Sequence, residues 1–79
     1  MVQIPTINLL RTGANVQQLR IAAGLSVHDL QQIFGFNSPQ AIYKWQNGLA
    51  LPTVDNLIVL AAVLHVRIDD ILVCDIAVA

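Results

Sequence analysis

Residues 24–48 read G-L-S-V-H-D-L-Q-Q-I-F-G-F-N-S-P-Q-A-I-Y-K-W-Q-N-G, and each boundary inside the stretch has a chemical cause. Ser26 offers a hydroxyl to the orphan amides of a first helical turn, and Asp29 puts a carboxylate where the helix dipole favours one. Leu30, Ile33 and Phe34 recur at the three- and four-residue spacing of one helical face. Gly35 follows, where the closing residue commonly turns left-handed. Ser38 marks a second start, with Pro39 at the first helical position, where its fixed φ fits and its missing amide costs nothing. Ala41, Ile42 and Trp45 supply the inward stripe of this second helix, and Asn47-Gly48 ends it. The stretch thus predicts two short helices joined by a tight turn, with Ser38, Pro39, Gln40, Tyr43, Lys44 and Gln46 facing outward.

Such a pair is a helix-turn-helix, and the outward set suits duplex DNA. Base edges in the major groove are read by amides, hydroxyls and apolar contacts, and phosphates by Lys, Ser and backbone amides. Gln40 is the best placed for direct readout, because an amide in the first turn can donate and accept together, matching adenine N6 and N7. The competing reading of each residue is a solvated polar helix face.

The rest of the chain fits around this pair. Val2, Ile4, Ile7 and Leu9 alternate weakly across Pro5, which predicts an edge strand or an arm lying on the domain, the arm being preferred. Thr12 is expected to cap a first helix running to about Ala23, closed by Gly24, with Val16, Leu19 and Ala23 inward. After the extended connector at residues 49–52, Thr53 caps a helix with Leu57, Leu60, Ala61 and Leu64 on one face. Ile58, Val59, Ala62 and Val63 leave little polar on the other, so burial on most sides is expected. A last helix is expected at about residues 67–73, with Asp69 and Asp70 in its first turn. The division is therefore an arm at 1–11, a domain at 12–73 and an apolar tail at 74–79. That tail packs either across a dimer interface, together with the arm, or back against the last two helices of its own chain.

The pieces N-V-Q-Q-L-R-I-A-A-G-L-S, D-L-Q-Q-I-F-G, I-Y-K-W-Q-N-G, L-P-T-V-D-N-L-I-V-L-A-A-V-L and I-D-D-I-L stand in one order between about Gly13 and Val73. In this the chain resembles the Xre-type helix-turn-helix family, the phage-repressor-like domains of bacterial and phage transcription regulators. The resemblance implies an all-α, compact five-helix lambda-repressor-like DNA-binding domain. It also implies a sequence-specific transcriptional regulator that reads the major groove as a homodimer, its two recognition helices about 34 Å apart. Carried onto this sequence, Ser38, Gln40 and Tyr43 touch bases, while Arg20, Ser26, Lys44 and Asn47 position the phosphate backbone. There are departures. Gln46 stands where the family commonly has a glutamate paired with the arginine at Arg20, which leaves a hydrogen bond at most and an Arg20 freer to reach phosphate. Val27 replaces a frequent backbone-contacting glutamine, the turn is one residue longer than the commonest pattern, and His65 takes the place of a usual glycine.

Composition sets limits on these readings. A chain of 79 residues is one domain near the lower end of what folds unaided. Its 56% hydrophobic content is high for so small a body, which points to an oligomer interface. No run is long enough to span a bilayer and no secretory signal is present, so a cytoplasmic protein without membrane contact is expected. The net charge of −1, from four basic and five acidic residues, is unusual for a nucleic-acid binder. With about three cations per subunit on phosphate, a dimer would show a slope of log affinity against log salt of roughly −5. The low charge, Val27 and the longer turn also favour an alternative, an Xre-like protein–protein interaction module that has lost DNA binding.

Catalysis finds few candidates. His65 and Asp69 are four apart but lack a third metal ligand. His28 and Asp29 point about 100° apart on a helix, and Cys74, the single cysteine, has no activating cation nearby in sequence. No enzyme activity, cofactor, metal or small-molecule ligand is expected.

Overall fold

A computed structural model describes residues 2–78, with the side chain of Val78 left aside. In chain order it contains β1 (Gln3–Ile7), α1 (Leu9–Ala22), α2 (Val27–Phe34), α3 (Gln40–Gln46), α4 (Val54–Leu64), α5 (Ile68–Ile71) and β2 (Cys74–Val78). Five helices form the body. Val16 of α1, Leu30 of α2, Ile42 and Trp45 of α3, Leu57, Leu60, Ala61 and Leu64 of α4 and Ile71 of α5 make one buried cluster. Leu30, Ile42 and Leu60 are wholly buried, so truncating any of them to Ala should cost about 2–5 kcal/mol.

Four helix boundaries follow their capping chemistry. Ser26 and Asp29 form a reciprocal box: Ser26 Oγ accepts from the Asp29 amide at 2.9 Å, and Asp29 Oδ2 accepts from the Ser26 amide at 2.8 Å. Gly35 closes α2 with φ of 72°. Thr53 Oγ1 accepts from the Asn56 amide at 3.3 Å and opens α4. His65 closes that helix in the left-handed region, with φ 56° and ψ 41°, as a residue in a usual glycine position must.

The first helix departs from expectation. It begins at Leu9, with Asn8 Oδ1 accepting from the Arg11 amide at 2.9 Å. Thr12 is buried inside the helix, and its hydroxyl serves another purpose. Oγ1 accepts from the Val73 amide at 2.9 Å and donates to the Val73 carbonyl at 3.3 Å, which ties the start of the tail to α1. Asn15 Nδ2 does similar work, donating to the carbonyls of Asp70 and Ile71 at 2.7 and 3.0 Å.

The last helix is shorter than expected. Asp70 Oδ2 accepts from the Arg67 amide at 2.9 Å and opens it, but at Leu72 the chain turns extended, with ψ of 126°, and runs into β2. The arm and tail then pair with each other. β1 and β2 form an antiparallel two-stranded ribbon with Ile4 opposite Ala77, Pro5 opposite Ile76 and Thr6 opposite Asp75. Every residue of β1 is exposed, and the ribbon touches the helices little beyond its base. The tail accordingly lies against the arm rather than against the last two helices; Met1 and Ala79 lie outside the described residues.

α4 is also less covered than its composition predicts. Its Leu57–Leu60–Ala61–Leu64 face is buried, but Val54 and Ile58 are 70% and 56% exposed, and Val59 and Ala62 are exposed beside them. Helical periodicity gave this second face no layer to pack against.

Candidate nucleic-acid interface

The turn between α2 and α3 is built from aromatic rings. Phe34 and Phe36 stack at 5.1 Å between centroids, and both meet the ring of Trp45 edge-on, at 5.4 and 5.9 Å. Gln31 Nε2 donates to the Phe36 carbonyl at 3.2 Å and fixes the turn against α2. The turn is thus a packed element. Phe36 within it carries a ring that packs against Trp45 of α3.

α3 is also held from behind. Gly13 of α1 is buried where a Cβ would strike the Trp45 carbonyl oxygen and lie 2.6 Å from that of Gln46. Only a residue without a side chain lets the two backbones approach this closely. Arg20 Nε donates to Gln46 Oε1 at 2.9 Å, and Nη1 donates to the Leu25 carbonyl at 2.7 Å. Arg20 is therefore half-buried and oriented rather than loosened by the loss of a glutamate partner.

Successive residues of a helix turn by about 100°, so Gln40, Tyr43, Lys44 and Asn47 fall on one face, opposite Ala41, Ile42 and Trp45. All four are exposed, Tyr43 by 47%. Lys44 has no acidic partner among the described residues. Gln46 is half-buried against Arg20, and Pro39 is half-buried too.

The start of α3 departs from the expected cap. Pro39 occupies the N-cap, and no side-chain hydrogen bond closes it. Ser38 Oγ lies 3.5 Å from the Gln40 amide, too far for a good bond. Ser38 is therefore an exposed hydroxyl at a helix N-terminus rather than its cap. Ser26 has the opposite character, since its hydroxyl and amide are both engaged with Asp29. That carboxylate is held below its ordinary value of 3.8, first by the Ser26 backbone amide and then by the Ser26 hydroxyl, so a negative charge sits beside the serine.

The cations do not gather on this face. Arg11 lies 3.7 Å from Asp75 at the foot of the ribbon, and Arg67 lies 3.6 Å from Asp69 at the start of α5. Lys44 lies on α3, and Arg20 is bonded to its last residue. Among the described residues no three His, Cys, Asp or Glu side chains converge as a metal site would require. No helix among the described residues is long and apolar enough to cross a membrane.

Gly13, Gln31, Phe36 and Leu25 were not singled out by sequence reasoning as parts of this site. The only local signal was a glycine inside a helical pattern at residue 13, which commonly marks a close backbone approach.

A short helix seated on a second by a buried Trp and Ile, with a polar outer face, defines a helix-turn-helix DNA-binding domain. The chain belongs to the Xre-type branch of that class: the family model described as Helix-turn-helix matches residues 16–71. Among solved structures, the restriction-modification controller protein C.AhdI from Aeromonas hydrophila is similar, with 24% identity and a TM-score of 0.70 over 80% of this chain and 94% of that one. That likeness is one of fold. No curated protein matches the chain.

Proposed function

We propose that this DNA-binding regulator is sequence-specific and that α3 enters the major groove of duplex DNA, two copies of the chain reading a near-palindromic site. The observation that carries the reading is the exposed row Gln40, Tyr43, Lys44 and Asn47 on a helix fixed from beneath by Ile42 and Trp45. Gln40, in the first turn, reads a base edge as a combined donor and acceptor, and Tyr43 lies one turn on. Ser38 contacts base or phosphate from the end of the turn. Lys44, Asn47 and the outer edge of Arg20 hold phosphates. Ser26 keeps its capping role, because the Asp29 carboxylate beside it repels phosphate.

Two cations per subunit near α3 replace the three expected from sequence, so the salt slope of a dimer should be roughly −4. Selection from a random duplex library at low and moderate salt tests the reading. It predicts enrichment of a two-fold symmetric sequence.

The pairing of Arg11 and Arg67 with carboxylates away from α3, together with the net charge of −1, favours a second reading. In it the fold is a protein-interaction module, and the same selection would enrich nothing.

A further inference from the structure

The two free edges of the β1–β2 ribbon are not equivalent. The Asn8 amide donates to the Val73 carbonyl at 2.8 Å, one half of the exchange that marks a hydrogen-bonded position at the base of the ladder, while the Val73 amide turns to Thr12 Oγ1. Antiparallel pairs alternate, so with the observed register Thr6–Asp75 and Ile4–Ala77 turn their amides and carbonyls inward. Ile7–Cys74, Pro5–Ile76 and Gln3–Val78 turn theirs out to the free edges. At the centre of the β1 edge stands Pro5, which has no N–H to offer. The β2 edge presents a donor and an acceptor at each of Cys74, Ile76 and Val78. One edge resists strand addition and the other invites it.

We propose that the open edge of β2 pairs antiparallel with β2 of a second copy, about a two-fold axis at Ile76, giving a four-stranded sheet in the order β1, β2, β2, β1. The proposal rests on the two-copy part of the reading above and not on DNA recognition. In this register Ile76 faces its own counterpart, Cys74 faces Val78 and Asp75 faces Ala77. Sliding one ladder step so that Cys74 faces Ile76 would set Asp75 directly opposite Asp75, a like-charge pair that disfavours the shift. The occupant is a second copy because the edge is complementary to itself and because Pro5 stops the sheet at its outer strands. Assembly then closes at two chains instead of growing into a fibre.

The surroundings agree with this. A lone two-stranded ribbon is marginal in water, and Ile4, Ile7 and Ile76 on this one are 44%, 44% and 59% exposed. Both strands lie outside residues 16–71 that match the family, so the ribbon is an addition to the shared domain. An edge of five residues is small beside the roughly 1,200–2,000 Å² of a standard interface, so a dimer that dissociates at about micromolar concentration is expected.

Sedimentation velocity of the full chain without DNA, from about 1 to 200 μM, tests the proposal against that weak-dimer expectation. The wild type should pass from monomer to dimer. Ile76→Pro removes the outward donor at the axis and leaves the inward ladder intact. It should raise the dissociation midpoint at least tenfold with an unchanged helical melting curve. Cys74→Ser combined with Ile76→Cys should cross-link as a dimer under mild oxidation, since a hydrogen-bonded pair sits about 5.5 Å apart at Cα, within disulfide range. A wild type monomeric throughout would overturn the proposal. So would an Ile76→Pro dimer of wild-type strength, above all if Ile58→Glu on the exposed face of α4 abolished it. Duplex binding by a purely monomeric chain would leave the reading of α3 standing while removing this one.

Discussion

Arg20 donates from Nε to Gln46 Oε1 at 2.9 Å, across 26 residues of sequence, and this bond locks the last turn of α3 to α1. Gln46→Glu would make it charge-assisted at a half-buried site. Stability should rise by about 0.5–1 kcal/mol, seen as an increase of a few degrees in Tm. Gln46→Ala should lower it by a similar amount. Thermal melts of the two variants check the sign.

Gly13 sets how closely α1 approaches α3. Adding a methyl there drives it into the carbonyls of Trp45 and Gln46, and backbone cannot yield as a flexible side chain does. Gly13→Ala should therefore destabilise by about 1–3 kcal/mol, even though alanine is the better helix former by about 1 kcal/mol. Urea unfolding measures the net change, and a stabilised variant would show that the approach is looser than described.

Thr12→Val keeps the shape of the side chain and removes both hydrogen bonds to Val73. The Val73 amide then loses its partner, at a cost of about 1–3 kcal/mol. Hydrogen exchange should show the loss first at Val73 and along β2, because that bond pins the start of the strand.

Much of the fold was legible because local chemistry and packing agree through the middle of the chain. Ser26, Asp29 and Gly35 both signal and make the boundaries of α2, and the stripe Ala41, Ile42 and Trp45 is the inward face of α3. At the ends the agreement fails. Asn8 and Thr12 are both capping residues by type, Asn the better of the two, and the hydroxyl of Thr12 is taken up by Val73, 61 residues later. The alternation around Pro5 left an edge strand or an arm open, with the arm preferred; residues 3–7 are a strand, and their pairing with 74–78 is a long-range relation that no local pattern encodes. The periodicity of α4 showed one buried face and could not show that its other apolar face meets solvent. At the interface, the exposure of Gln40, Tyr43 and Lys44 followed from helical phase. The engagement of Arg20 with the Leu25 carbonyl depends on a backbone group and was not readable.

The Asp29 carboxyl gives a pH dependence with a definite sign. Its hydrogen bonds with Ser26 hold it below 3.8 in the folded chain, so the contribution is complete above the unfolded value and disappears as pH falls through the folded one. Carboxyl NMR titration should place Asp29 below 3.8. Ser26→Ala should move it back toward 3.8 and weaken α2 by about 1 kcal/mol through the lost cap.

The central claim is that the outer face of α3 lies in the groove of a duplex. Its most direct test is the affinity of wild type, Gln40→Ala and Lys44→Ala for a selected duplex and for variants at each base pair, measured across a salt series. Gln40→Ala should lose about 1–3 kcal/mol of discrimination at one base pair per half-site and leave the others unchanged. Lys44→Ala should weaken every sequence alike and flatten the salt slope by about 1 per subunit. If both variants bind as the wild type does, at every salt concentration and on every duplex, α3 is not the reading element and the account is wrong.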